Sequence, residues 1–307
     1  MLSGTAAAED YPSKPIRVLV GFPPGGAMDL VARLLQPRLA KALGREIVVD
    51  NRPGASGVLT AELLAHSAPD GYTLALVNHG ALVISPVMTK VPYDPAGDFT
   101  PIARVVELQN IFLAKPPLPV RSLKELVAYS KGKPGVLNYA TPGAGSAGHL
   151  SGELFKAAAG VDWVHVPYKG GAPAMTDFLS GQVELFVAIV STAVPYVKQG
   201  KVHALAVSGA RRSAALPDVP TVAESGFSGY ESTSWYALMG PARLPPSITK
   251  RWEKEMGVVL ADPEIRKGLL ERGLEPFPST AQELAEFQRR ETAKWAPIVK
   301  AAGLQSN

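Results

Sequence analysis

The sequence predicts an α/β fold of two lobes joined by two extended segments. Three observations carry this: strand and helix alternate over the first eighty residues, a second alternating block begins after an extended run at residues 102–114, and another extended run at 234–239 returns the chain to the first block. Each block implies a parallel sheet with right-handed crossovers, and ligands gather at the strand C-termini of such sheets. The predicted lobes are residues 1–106 with 235–307, and residues 107–234.

The elements follow in order. Residues 16–20, IRVLV, read as a strand; residues 28–43 carry Leu30, Leu34, Leu35, Leu39 and Leu43 at helical spacing; residues 47–49 are a second strand. A helix over 58–66 precedes Pro69-Asp70-Gly71, which turns the chain into a strand at 73–77. Beyond the extended run, Ser122-Leu123-Lys124-Glu125 is a capping box that opens a helix. A strand at 136–140 meets the glycine-rich loop TPGAGSAGHLSG before a helix at 150–159. A strand at 164–166 meets the loop YKGGAPAMTD, a strand at 183–187 meets Ser191-Thr192-Ala193, and residues 203–207 are a further strand. Residues 216–232 form a loop rich in Pro, Gly and Ser. The last third is helical. It holds a helix at 246–260, a second with Asp262 as N-cap and Pro263 at its first position that stops at Gly273, and a long final helix opened by Thr280-Ala281-Gln282-Glu283.

Composition narrows the function. Hydrophobic residues at 46% and charged residues at 19% describe a globular chain with a substantial core. The net charge of +4 comes from scattered Lys and Arg, so there is no clustered basic footprint for nucleic acid. With no Cys, disulfides, thiolate metal sites and cysteine nucleophiles are all excluded. The five histidines show no metal-ligand spacing. The most apolar stretch, residues 73–88, is broken by Asn78, His79 and Pro86 before it reaches the roughly 20 residues a membrane span needs. At the N-terminus, Ala6-Ala7-Ala8 is similar to the small-residue tail of a signal-peptide cleavage site, the alternative being an ordinary frayed terminus.

The stretch GFPPGGAMDLVARLL, residues 21–35, leaves a strand and enters a helix, the arrangement that holds anions on backbone N–H groups. It lacks the Lys-Ser/Thr pair of a P-loop and the G-x-G-x-x-G of a dinucleotide loop. Asp29 would repel a polyphosphate, whereas Pro23, Pro24, Gly25 and Gly26 suit a rigid loop of bare N–H groups, so a smaller anion fits. Ala144-Gly145-Ser146-Ala147-Gly148 nearly matches the hydrolase elbow G-x-S-x-G but lacks its first glycine, which favours Ser146 as a donor in an anion nest over a nucleophile. His149 stands ready either to donate to a ligand or to satisfy the loop backbone, and His79 has the same two readings. Asp29 reads first as a helix-dipole and capping residue, and second as a ligand contact. Lys169 either neutralises a carboxylate or lies on the surface beside a turn, while Tyr168, Trp235 and Tyr236 default to the core.

The runs PIRVLVGFPPGGAMDLVARLL, VVDNRPGASGVLTAELLAHSAPDGYTLAL, LNYATPGAGSAGHLSGELF, VPYKGGAPAMTDFLSGQVEL and WAPIVKAAGL, in this order, resemble the periplasmic substrate-binding receptors of tripartite tricarboxylate transporters, also called the Bug family. The resemblance covers nearly the whole chain. It implies a type II periplasmic binding protein that closes two α/β lobes, joined by two crossover strands, around a small organic carboxylate, a dicarboxylate or an aromatic acid. It implies that the first loop, with Phe22, Pro24, Gly25, Gly26, Ala27 and Asp29, and the second, with Thr141, Gly143, Ala144, Gly145, Ser146 and His149, hold the carboxylate through N–H groups, hydroxyls and ordered water. By position, Asn78, His79, Lys169 and Ser191 would set specificity. The resemblance further implies no catalytic residue and no cofactor, a periplasmic location and two membrane components as partners; a monomer is expected.

Overall fold

The computed structural model describes residues 11–301 and 303–305; Ala6-Ala7-Ala8 lies outside the described residues. The first block is β1 (Ile16–Val20), α1 (Ala27–Leu43), β2 (Ile47–Asn51), α2 (Val58–Ala65) and β3 (Thr73–Asn78), with β1 parallel to both β2 and β3. A 3-10 turn at Ala55–Gly57 precedes α2, and a π-helical turn at Gly80–Ile84 leads into α3 (Ser85–Met88), where the sequence predicts only strand and loop. The long strand β4 (Phe99–Ala114) then leaves the block.

The second block holds α4 (Leu123–Ser130), β5 (Asn138–Thr141), α5 (Ala147–Ala159), β6 (Val164–Pro167), α6 (Gly171–Ser180), β7 (Leu185–Ile189), α7 (Val190–Lys198) and β8 (His203–Val207). The chain returns through β9 (Thr233–Pro241) and ends in α8 (Pro246–Ala261), α9 (Pro263–Leu270), β10 (Leu274–Pro276) and α10 (Ala281–Ala301). Sheet order is β2-β1-β3-β9-β4-β7-β5-β6, with β10 and β8 also paired to β4.

The pairing of β4 positions everything else. It lies antiparallel to β9 as far as Gln109↔Thr233, then changes partner and pairs with β7 from Asn110↔Ile189. Because Asn78 ends β3 opposite Tyr236, and Ile189 ends β7 opposite Asn110, the C-terminal ends of both sets of parallel strands converge on the Gln109–Asn110 junction. A buried polar cluster ties that junction together. The Asn110 amide donates to Ser208 Oγ (2.8 Å), its Nδ2 donates to Ser151 Oγ (3.0 Å), and Ser151 Oγ donates to Ser232 Oγ (2.7 Å), joining α5 to both connecting segments.

Both blocks are covered on both faces, as a parallel sheet requires. In the first, α1, α8 and α9 pack one face and α2, the π-helical turn and α10 pack the other. In the second, α6 and α7 cover one face, α4 and α5 the other. Trp235 enters the core of the first block, edge-on to Phe287 with centroids 5.5 Å apart, in line with the default reading of a buried aromatic.

Helix starts follow the capping residues. Asp262 Oδ1 accepts from the amides of Glu264 (2.8 Å) and Ile265 (3.2 Å), and Thr280 and Glu283 close a full capping box at 3.2 and 2.8 Å. At α4, Ser122 Oγ accepts from the Glu125 amide, but Glu125 reaches the amide of Arg121 rather than that of Ser122. Four expectations are corrected. Residues 171–177 of the presumed loop are helical, within α6, Ser191-Thr192-Ala193 lies inside α7, the helix expected at 150 begins at Ala147, and β10 forms after Gly273 because it finds an open edge on β4.

Candidate functional site

The first loop leaves the C-terminal end of β1. Gly25 takes φ of +82°, accessible to glycine without strain, and its amide donates to Asp29 Oδ2 at 2.9 Å. Asp29 is 2% exposed, and its carboxylate also accepts from Arg33 Nε (3.0 Å to each oxygen) and Asn51 Nδ2 (2.9 Å). Asn51 Nδ2 also reaches the carbonyl of Phe22 (3.0 Å), and the Gly26 amide bonds to the Pro23 carbonyl (3.3 Å). Burial pushes the Asp29 carboxyl upward, but Arg33, the Gly25 amide and Asn51 outweigh it and hold the group below the ordinary carboxylate range. Asp29 is therefore a charged anchor engaged on both oxygens by protein donors, which favours its helix-dipole reading over direct ligand contact. No side chain caps α1, and among the described residues the amides of Ala27, Met28 and Asp29 find no acceptor, although all three residues are buried. Pro24 is exposed on the loop beside them.

The second loop repeats the device with different chemistry. Gly145 takes φ of +72°, and its amide donates to His149 Nδ1 at 3.1 Å, again four residues on. Thr141 Oγ1 donates to the Gly143 carbonyl (3.1 Å), accepts from the Gly143 amide (3.3 Å) and meets His165 Nε2 at 2.7 Å. Ser146 is the N-cap of α5, its Oγ accepting from the His149 amide (3.3 Å), and its own amide bonds to Gly143 O (3.2 Å). The amides of Ala144, Ala147 and Gly148 find no acceptor among the described residues. The His149 ring is 4% exposed and stacks on His165 with centroids 3.8 Å apart and planes 10° apart. Burial lowers both imidazoles, His165 to about 4, so both are neutral near pH 7.

Among the described residues no base is hydrogen-bonded to the Ser146 hydroxyl. The Nδ1 lone pair of His149 is directed at the Gly145 amide, and the serine oxygen serves as a helix cap. Of the two readings left open for His149, the one seen is satisfaction of the loop backbone.

The positions expected to set specificity divide. His79 is a correction: its ring is 1% exposed and lies in the core of the first block between Trp235 and Trp295, both at 5.6 Å, with burial followed by Lys294 lowering it to about 3. The packing realises neither the ligand contact nor the loop-backbone partner expected of it. Asn78 is half-buried and stitches two turns together, donating to the Ser56 carbonyl (3.2 Å) and accepting from the Ala81 amide (3.4 Å). Lys169 is exposed without an ion pair among the described residues, on a segment tied to the second loop by Tyr168 N–H to Thr141 O (3.1 Å) and Gly170 N–H to Pro142 O (2.8 Å). Ser191 lies in the first turn of α7, its buried Oγ without a hydrogen-bond partner.

Sequence reasoning missed the residues that hold the loops. Arg33 was legible, being four residues after Asp29 on one helix face. Asn51, His165 and Met88 carried no local signal. Met88 comes from α3, and its sulfur lies 3.0 Å from where a Cβ on Gly145 would stand, so the first block touches the second loop here. The open surface groove lined by Ala214, Pro263, Arg266, Lys267, Leu270 and Glu271 involves neither loop.

Two α/β lobes, two connecting strands and helix N-termini with free amides at the junction define a solute-binding protein of the type II periplasmic class. The comparisons agree: a family model described as "Tripartite tricarboxylate transporter family receptor" matches residues 31–304, and the chain belongs to that family. Protein BugT of Bordetella pertussis is 33% identical over 98% of this chain and 93% of its own length. Among solved structures, R. palustris Rpa4515 with adipate is 34% identical at a TM-score of 0.91, covering 96% of this chain and 99% of that one. MatC (Rpa3494) from Rhodopseudomonas palustris with bound malate is 33% identical at a TM-score of 0.85, covering 94% and 100%.

Proposed function

We propose that this chain is an extracytoplasmic receptor that closes lobes 1–106 with 235–307 and 107–234 on a small organic carboxylate, a dicarboxylate or an aromatic acid, and delivers it to two membrane components of a tripartite transporter. The observation that carries the reading is the pair of α1 and α5 N-termini, each with amides that lack a protein acceptor. Such amides, with the helix dipole behind them, bind an anion without a basic side chain, and residues 21–29 and 141–149 contain no Lys or Arg. Ordered water can adapt one such clamp to related acids. The two similar structures carry adipate and malate, both carboxylates. The donors are the first-turn amides of Ala27, Met28, Asp29, Ala147 and Gly148, while Gly25 and Gly145 shape the turns that present them.

The test is a thermal-shift screen at neutral pH against mono-, di- and tricarboxylates and aromatic acids, with phosphate as control. Ligand at a hundred times its Kd adds about 2.7 kcal/mol to stability. A response confined to one carboxylate class is the expected result, and an equal response to phosphate would refute the carboxylate assignment. Gly145→Val, strained at positive φ and pressed on Met88, is expected to abolish the shift.

A further inference from the structure

We infer that His149 is a positioning residue whose protonation releases the second loop, so that the receptor loses its carboxylate as the medium acidifies. The inference rests on the carboxylate reading and adds its regulation.

The Gly145 amide donates to His149 Nδ1 at 3.1 Å. An amide can only donate, so Nδ1 must carry a lone pair and the proton of the neutral ring must sit on Nε2. Adding a proton at Nδ1 places two donors against each other, and Gly145 must give up its partner. Gly145 stands two residues before Ala147, the first residue of α5, so a shift there re-aims the free amides of Ala147 and Gly148.

The surroundings make this a poor place for a charge. His165, on β6, stacks on the ring at 3.8 Å, and two protonated imidazoles at that spacing repel. His165 is itself fixed by Thr141 Oγ1, which also holds Gly143, so both rings bear on the same loop. The other titratable or charged groups facing the pair are Glu153 and Lys156 on α5 and Tyr139 on β5. Glu153 favours protonation of the imidazoles, but it is engaged by Lys156 (2.9 Å) and by the Tyr139 hydroxyl, and burial outweighs it. Burial then lowers His149 below the usual histidine value of 6.5, which puts the transition on the acid side of neutrality.

The opposing effect is direct attraction between a protonated His149 and a bound anion, which would tighten binding in acid. Geometry decides against it, because the new proton would point at the Gly145 amide rather than out of the helix N-terminus.

Two measurements test the switch. The first needs no ligand: the imidazole of His149 and the amide of Gly145 are followed by nuclear magnetic resonance from pH 7.5 to 4.5. Both should titrate together at a midpoint below 6.5. A His149 ring that stays neutral until the protein unfolds, or a Gly145 amide indifferent to its titration, would overturn the inference. The second is calorimetric titration with adipate and with malate at pH 7.5 and 5.0, in the wild type and in His149→Asn. Asn places an oxygen where Nδ1 stood but cannot titrate in this range, and both proteins experience the same titration of the acid itself. The wild-type affinity should fall by up to tenfold more per pH unit than that of the variant, the slope for one linked proton. Equal slopes, or a wild type that binds more tightly in acid, would overturn it. Absence of binding by either acid at pH 7.5 would instead count against the carboxylate reading with these probes, leaving the resonance measurement to decide the switch.

Discussion

The two glycine-rich loops share one geometry and differ in the chemistry that fixes it. In each, a glycine at positive φ gives its amide to the side chain four residues later, Gly25 to Asp29 and Gly145 to His149. In the first block that side chain is a carboxylate held charged by Arg33 and Asn51; in the second it is a neutral imidazole stacked on His165. The residue before each anchor differs too. Met28 fills the core of the first block, whereas Gly148 lies so close to β7 that a Cβ would stand 2.3 Å from the Val187 carbonyl oxygen. Equivalent donor arrays are thus built from an ion-paired anchor on a packed helix and from a neutral anchor on a helix pressed against backbone. The same arrangement of backbone amides leaves side chains free to differ.

The largest effects should come from the positions before the anchors. Gly148→Ala sets a methyl against a carbonyl that cannot turn aside and should destabilise by about 3 kcal/mol, the upper end for overpacking. Met28→Ala should lose about 3 kcal/mol through the opposite fault, a cavity. Urea denaturation measures both, and a loss below about 1 kcal/mol in Gly148→Ala would show that α5 can move away from β7.

Next comes the ionic anchor. Asp29→Asn removes the charge opposite Arg33, whose exposed half tempers the penalty, and about 2 kcal/mol is expected by the same method. The folded carboxyl is depressed, so its contribution is fully present above the unfolded value near 3.9 and is lost only as pH falls through the folded value. Between pH 7 and 5, Asp29→Asn should therefore lose stability as steeply as the wild type.

His149→Phe keeps a ring for the stack and removes the acceptor for Gly145, for an expected loss of about 1.5 kcal/mol at pH 7. Here the pH dependence runs elsewhere. A histidine depressed in the fold contributes fully above its unfolded value near 6.5, and that contribution is lost as pH falls from there to the folded value. The variant should lose less stability between pH 7 and 5 than the wild type. Identical slopes in the two anchor variants would erase the distinction between the loops.

The smallest effect belongs to the cap that only the second loop has. Ser146→Ala should cost about 1 kcal/mol, as for other N-cap serines, whereas α1 starts at Gly26 without a side-chain cap. Thermal denaturation resolves this, and no change at all would mean that the first-turn amide of His149 finds another acceptor.

Much of this protein was legible in its sequence because the signals are local. Alternating strand and helix, the breaks at Gly and Pro, and the caps at Asp262 and Thr280 each depend on residues within one turn of one another, and they placed both loops at strand-to-helix junctions. The ion pair of Asp29 with Arg33 belongs to the same class, being one helical turn in length. What only the tertiary structure decided are contacts between residues far apart in the chain. His149 meets His165 across the space between α5 and β6, Asn51 reaches back to Asp29 from β2, and His79 turns into a core completed by Trp235 and Trp295, 156 and 216 residues away in chain order. A local pattern can say that a histidine stands near a loop. Whether it faces a ligand, a tryptophan or another histidine depends on which strands pair and which faces they bury, and that is decided by the packing of the whole chain.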